Sequence, residues 1–356
     1  MTERVLWLLS LILSIVLSIL LIPFFGAMEL WAGISHQRPW YEEHRSNWGR
    51  FIERLGSFPL LVSRGDRRAA PNSGLHELNL LGLRDRDYER APSSDTFRIL
   101  IIGDSFTEGD GVDDSESTFP KQLEALLNAR QPLPGFSTYE VINSGLRGSL
   151  TFQWVDRLLL NIEWYDPNVV IAVFFTRDGT QLTSIGHFFQ PIRQRIAAMS
   201  GALNQRFALL RRARQEEILE QLARSQVNLM RAAYLGAQQS IIEWQNAKCN
   251  LVQMRDICSE RGVQFVLANF PTLYQLDDLH PFQEIYDVID EFATQNEIAY
   301  FDLFPFFKGA DASALWVSTN DQHPNALAHQ IAARALFAYL SGSIFKQLDT
   351  TRRSAL

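Results

Sequence analysis

Four short polar blocks in this chain carry residue types that can do nucleophilic chemistry. They are Gly103-Asp104-Ser105, then Asn143-Ser144-Gly145-Leu146-Arg147-Gly148, then Thr176-Arg177-Asp178, and last Asn320-Asp321-Gln322-His323-Pro324-Asn325. A serine hydroxyl is a poor nucleophile until a neutral imidazole takes its proton, and that imidazole needs an acceptor that fixes its tautomer. Backbone N–H groups must also face the oxygen that turns negative in a tetrahedral intermediate, and glycines let a backbone come that close. The set holds all of these parts, provided the fold brings the blocks together.

The elements that must do so are legible as apolar runs. Phe97–Gly103, Tyr139–Asn143, Val169–Phe175, Val263–Asn269 and Ile298–Leu303 read as five strands, each ending at or just before a polar or Gly/Pro-bearing turn. Continuous apolar runs of this length fit parallel strands covered on both faces. Helical patterns over Phe119–Arg130, Phe152–Tyr165, Phe282–Thr294 and Ala326–Leu340 separate or follow them. The alternation specifies an α/β fold with a doubly wound, five-stranded parallel sheet. In such sheets reactive groups gather at the carboxyl ends of the strands, where the loops open onto a crevice.

The order of the blocks resembles the SGNH (GDSL) hydrolases. The resemblance runs from about Asn79 to Leu340, includes Gly82-Leu83-Arg84-Asp85 and is interrupted by a helical insert at about 180–258. It implies an SGNH/flavodoxin-like three-layer sandwich. It also implies Ser105 as nucleophile, His323 as general base and Asp321 as the acid that orients it, with the N–H groups of Ser105 and Gly145 in the oxyanion hole. Two departures from the family pattern stand out. Arg177 occupies the place of an asparagine whose amide would serve the oxyanion, and the acid lies two rather than three residues before the histidine, where Asn320 would otherwise stand. Arg177 is therefore a third candidate oxyanion donor, or else a member of a structural ion pair. Asp321 also suits the N-cap of the following helix. The expected activity is a serine-dependent esterase or deacylase that hydrolyses an O-acyl ester of a small molecule, lipid or carbohydrate through an acyl-enzyme. The competing readings are an O-acyltransferase acting on a carbohydrate and a non-catalytic envelope protein of the same fold.

The net charge of −7 argues against a nucleic-acid partner. Cys249 and Cys258 are nine residues apart in one predicted helix, a rise of roughly 13 Å that no disulfide spans. Neither has a Cys or His companion at metal-ligand spacing, so no metal or cofactor is expected. His187, His280 and His329 are read as structural. Val5 to Met28 contains no charged side chain, and about 20 such residues cross a bilayer. A single-pass anchor over residues 1–30 is expected, with a lead-in over 31–94 and a hydrolase-type domain over 95–346. The favoured orientation puts that domain on the periplasmic or extracytoplasmic side. Residues 179–215 hold six arginines and no acidic residue, with Ile192, Ile196, Met199, Leu203, Phe207 and Leu210 on one helical face. That pattern fits a helix on anionic lipid, a lid, or a helix packed on the main domain.

Overall fold

The computed structural model describes residues 78–180, 224, 227–236, 242–318 and 321–354, all within the unit Ala69–Leu356. The uncharged run 5–28, the apolar face of residues 192–210, His187 and Asn320 lie outside the described residues. Among the described residues no helix is long and apolar enough to cross a membrane.

In chain order the main elements are β1 (Thr96–Gly103), α1 (Ser105–Glu108), α2 (Phe119–Arg130), β2 (Thr138–Gly145), α3 (Thr151–Tyr165) and β3 (Val169–Phe175). They continue with α4 (Ile242–Ser259), β4 (Gln264–Phe270), α5 (Gln283–Gln295), β5 (Ala299–Asp302) and α6 (Phe304–Phe307). A hairpin of β6 (Trp316–Ser318) and β7 (Asp321–Pro324) follows, then α7 (Ala326–Tyr339) and α8 (Phe345–Ser354). β1 to β5 form one parallel sheet in the order β2-β1-β3-β4-β5. All eight residues of β1 are buried, because α2 and α7 cover one side of the sheet and α3 and α4 the other. Complete burial of each Ile or Val side chain contributes on the order of 1.5–3 kcal/mol, and β1 supplies three isoleucines in succession apart from Leu100.

The ladder register sets Gly103 beside both Gly145 and Val173. The three strands therefore deliver their loops to one edge, at the point where the strand order reverses on either side of β1. The stretch before β1 joins the same core at Leu83, with Leu81 and Tyr88 packed against it. Leu83 and Arg84 are buried, and the Asp85 carboxylate accepts the Asn143 N–H at 2.8 Å and pairs with the buried Lys121 ammonium at 3.2 Å.

Two features differ from the expected chain of elements. The polar block before the last helix is half of an antiparallel hairpin rather than a loop. Its strands are three and four residues long, too short for an alternating pattern to register. The last helix also continues beyond Leu340 through a π-helical turn over Leu340–Ile344 into α8. Phe345 there packs edge-on against Phe97 at 5.3 Å and closes the amino end of β1.

Candidate active site

Ser105 is placed by an abrupt stop. β1 ends at Gly103, and a Cβ there would lie 2.1 Å from Thr107 Oγ1 and 2.9 Å from the Val173 carbonyl. Only glycine lets the chain turn that tightly into α1. Asp104 caps the turn, its carboxylate accepting the Phe106 N–H at 2.9 Å, a contact typically worth about 1 kcal/mol. The serine that follows is 4% exposed.

His323 arrives from the other direction, on β7. Its Nε2 lies 3.0 Å from Ser105 Oγ, and its Nδ1 lies 2.6 Å from Asp321 Oδ1. The same carboxylate oxygen accepts the His323 backbone N–H at 3.1 Å. An ionised carboxylate can only accept, so Nδ1 carries the proton and Nε2 is left to accept from the serine. Burial raises the Asp321 pKa, but hydrogen bonds from the His323 ring and backbone, with the charges of His323 and Arg147, hold it below the ordinary value. Asp321 is not the cap of the following helix. Asn325 has that place: its Oδ1 accepts the Leu327 and Ala328 N–H groups, and its Nδ2 donates to the Ala314 and Trp316 carbonyls. One asparagine thereby ties the hairpin to α7. The Phe106 ring meets the His323 ring at 5.6 Å and limits how far it can swing.

Gly145 departs from the expectation. Its N–H donates to Asn143 Oδ1 at 3.0 Å, and the residue is buried. A Cβ at this position would fall 2.1 Å from the Glu108 nitrogen. The glycine is needed because α1 packs directly on the end of β2, and its N–H is not free for an oxyanion. Gly148, three residues on, is exposed and held at φ +71°. Its N–H has no hydrogen-bond partner among the described residues. Ser149 anchors the loop there, donating to the Gly103 carbonyl at 3.3 Å and accepting from Trp154 Nε1 at 2.8 Å.

Arg177 is a member of a structural ion pair and not a replaced amide donor. Its Nη2 lies 2.7 Å from Asp104 Oδ2 and 3.3 Å from Asp178 Oδ1, and reaches the Ser149 carbonyl at 3.4 Å. Its Nε is buried without a partner. Burial raises the pKa of both carboxylates, and most strongly that of Asp178, which also feels Asp104, while the guanidinium opposes the rise. The arginine thus braces the peptide next to the nucleophile and the peptide after Gly148 at once.

Arg84 and Asp110 are two further side chains at this edge whose roles the sequence does not indicate. Arg84 is buried and donates to the carbonyls of Glu108, Gly109, Val112 and Asp113. It clamps the loop carrying Asp110, whose carboxylate sits 3.9 Å from His323 Nε2 and 2.6 Å from Arg147 Nη2. A single charged residue in a turn gives no signal of such neighbours. His280 and His329 are packing groups. His280 hydrogen-bonds Tyr286 and stacks on Phe304, and His329 accepts the Phe119 N–H at 3.1 Å. Among the described residues no cluster of His, Cys, Asp or Glu could hold a metal ion.

Solved structures of similar fold share little sequence with this chain. The esterase EstA of Pseudoalteromonas sp. is 15% identical, with 71% of this chain and 98% of that chain covered at a TM-score of 0.42. The acetylxylan esterase Axe2 of Geobacillus stearothermophilus is 15% identical, with 70% and 97% covered at 0.42. The lipase/acylhydrolase of Enterococcus faecalis is 13% identical, with 69% and 96% covered at 0.41. No curated protein matches the chain. A family model does match, over residues 101–331, a span that runs from β1 through the Ser105 and His323 blocks into α7. The chain belongs to the GDSL-like lipase/acylhydrolase family and is an ester-acting hydrolase.

Proposed function

We propose that the chain is a serine-dependent esterase or deacylase working through an acyl-enzyme on Ser105. The observation that carries this reading is the unbroken relay from Ser105 Oγ to His323 Nε2 and from His323 Nδ1 to Asp321. Ser105 Oγ attacks the acyl carbonyl while its proton passes to His323 Nε2. The imidazolium so formed is stabilised by Asp321 and gives the proton to the departing alcohol oxygen. Water then enters, loses a proton to the same nitrogen and releases the acid, restoring the serine. The negative oxygen of each tetrahedral intermediate is met by the N–H of Ser105 and, in place of Gly145, the N–H of Gly148. Each such donor is worth about 10²–10³ in rate.

The uncharged run 5–28 is proposed to anchor the enzyme in a membrane, with the hydrolase unit on the extracytoplasmic side. A fluorophosphonate probe tests the central claim. It should label the wild-type protein at Ser105 and leave Ser105→Ala unlabelled at equal folded content. Labelling at another residue, or none in the wild type, would remove Ser105 from the mechanism.

A further inference from the structure

The ion pair of Asp110 and Arg147 stands at the rim of the triad with no part in the relay. Asp110 Oδ2 is 3.9 Å from His323 Nε2, too long for a hydrogen bond but close enough for one atom to bridge. Nε2 is the atom that hands the proton to the leaving alcohol, so the alcohol part of the ester lies against Nε2 during turnover and its next substituent comes within reach of Asp110. Beside it, Arg147 Nη2 touches the other carboxylate oxygen of Asp110 at 2.6 Å. The pair thus presents an acceptor and donors side by side, with its two side chains 20% and 38% exposed.

The position of this pair is built by the fold. Arg84 holds the Asp110 loop through four carbonyls. Gly111, at φ +81°, lies so close to Val317 of the hairpin that a Cβ would approach its methyl within 2.6 Å. Glu108 accepts the Arg147 N–H and fixes the other side. The pair is only partly out of water, so its ionic attraction adds modestly to stability and leaves its polar edge open to the site. Being neutral as a pair, it is poorly suited to a charged substrate. Being polar, it is poorly suited to an alkyl chain. Hydroxyl groups, which donate and accept at once, match it.

We infer that Asp110 and Arg147 form the alcohol subsite and select esters whose alcohol carries neighbouring hydroxyls, such as a carbohydrate or another polyol. One hydroxyl oxygen, the ester oxygen before cleavage, lies against His323. Its neighbour donates to Asp110 and accepts from Arg147. The inference rests on the reading of Ser105 as nucleophile and names the substrate class for that site.

The test compares kcat/KM for a mono-O-acetylated methyl glucoside with that for p-nitrophenyl acetate, whose alcohol has no second hydroxyl. In Asp110→Ala and in Arg147→Gln the ratio of the two should fall at least tenfold, chiefly through KM for the sugar ester. An unchanged ratio, whether both rates hold or both fall together, overturns the subsite. A binding arm separates this from the reading of the mechanism. Ser105→Ala should bind the acetylated glucoside in calorimetry, and adding Asp110→Ala should weaken it at least tenfold. Binding with that dependence in a protein that turns over no ester would sink the acyl-enzyme and keep the subsite. Binding indifferent to Asp110, alongside normal serine labelling, would do the reverse.

Discussion

Ser105 follows a strand buried along its whole length and is 4% exposed, whereas His323 rides on a short hairpin with 30% of its side chain open to solvent and Asp321 with 41%. On the serine side the supporting charges are out of water. Asp104 and Asp178 have side chains 2% and 0% exposed and share one guanidinium. On the histidine side the support is a single carboxylate at the surface and an asparagine that ties the hairpin to a helix. The difference follows from what each group has to do. The nucleophile must hold one position against the carbonyl and the oxyanion donors, so it is built into the central sheet. The imidazole must serve first the serine and then the leaving oxygen from the same Nε2, and on a partly exposed hairpin that nitrogen can be reached by the substrate. Substitutions on the serine side should therefore damage fold and chemistry together, and those on the histidine side should damage chemistry alone.

The largest expected effect is on rate. His323→Ala should lower kcat/KM for an aryl ester on the order of 10⁴–10⁶-fold, as loss of one member of such a relay does. Its unfolding free energy should stay within about 0.5 kcal/mol of wild type, as for other surface substitutions. Ester hydrolysis and calorimetry on the same preparation check both halves. A large drop in melting temperature would erase the contrast between the two sides.

Next comes Arg177→Leu, which leaves Asp104 and Asp178 buried without their cation. Breaking a buried pair by removing one partner costs about 3–5 kcal/mol. In a unit of this size that shifts the melting temperature on the order of 10 °C. Lost activity at an unchanged melting temperature would mean that the guanidinium works on substrate and not on the fold.

The smallest effect is on pH dependence and concerns α7, the helix to which the hairpin is tied. Burial, with repulsion from Arg84 and His323, pushes the His329 pKa down to about 3. In the unfolded chain a histidine titrates near 6.5. Between those two values the unfolded state binds a proton that the native state does not, so stability falls as the pH drops below about 6.5. This histidine alone contributes a slope of about 1.4 kcal/mol per pH unit in that window. Denaturant unfolding of wild type and His329→Gln at pH 7 and pH 5 should show the smaller pH effect in the variant. Equal slopes would mean that the imidazole is not held neutral.

Much of this site is readable along the chain, and the reason is physical. A strand covered on both faces must be apolar throughout, so β1 to β4 announce themselves, and a reactive loop must break such a run, so Gly103-Asp104-Ser105 stands out at its end. The order of the four blocks and the helices between them then follow from local composition. Contacts between distant segments are what the chain order leaves open. Gly145 and Gly148 are equivalent in one dimension. Only the approach of α1 to within van der Waals distance of β2 makes the first a packing glycine, while the N–H of the second has no partner among the described residues. Arg177 reads as a replaced amide donor until Asp104, 73 residues away in sequence, is found against it. Asp110 has no periodic pattern and no motif of its own. Its place beside His323 comes from Arg84 gathering four carbonyls and from Gly111 lying on Val317, which are choices made by the packed chain because they satisfy buried donors and leave no void.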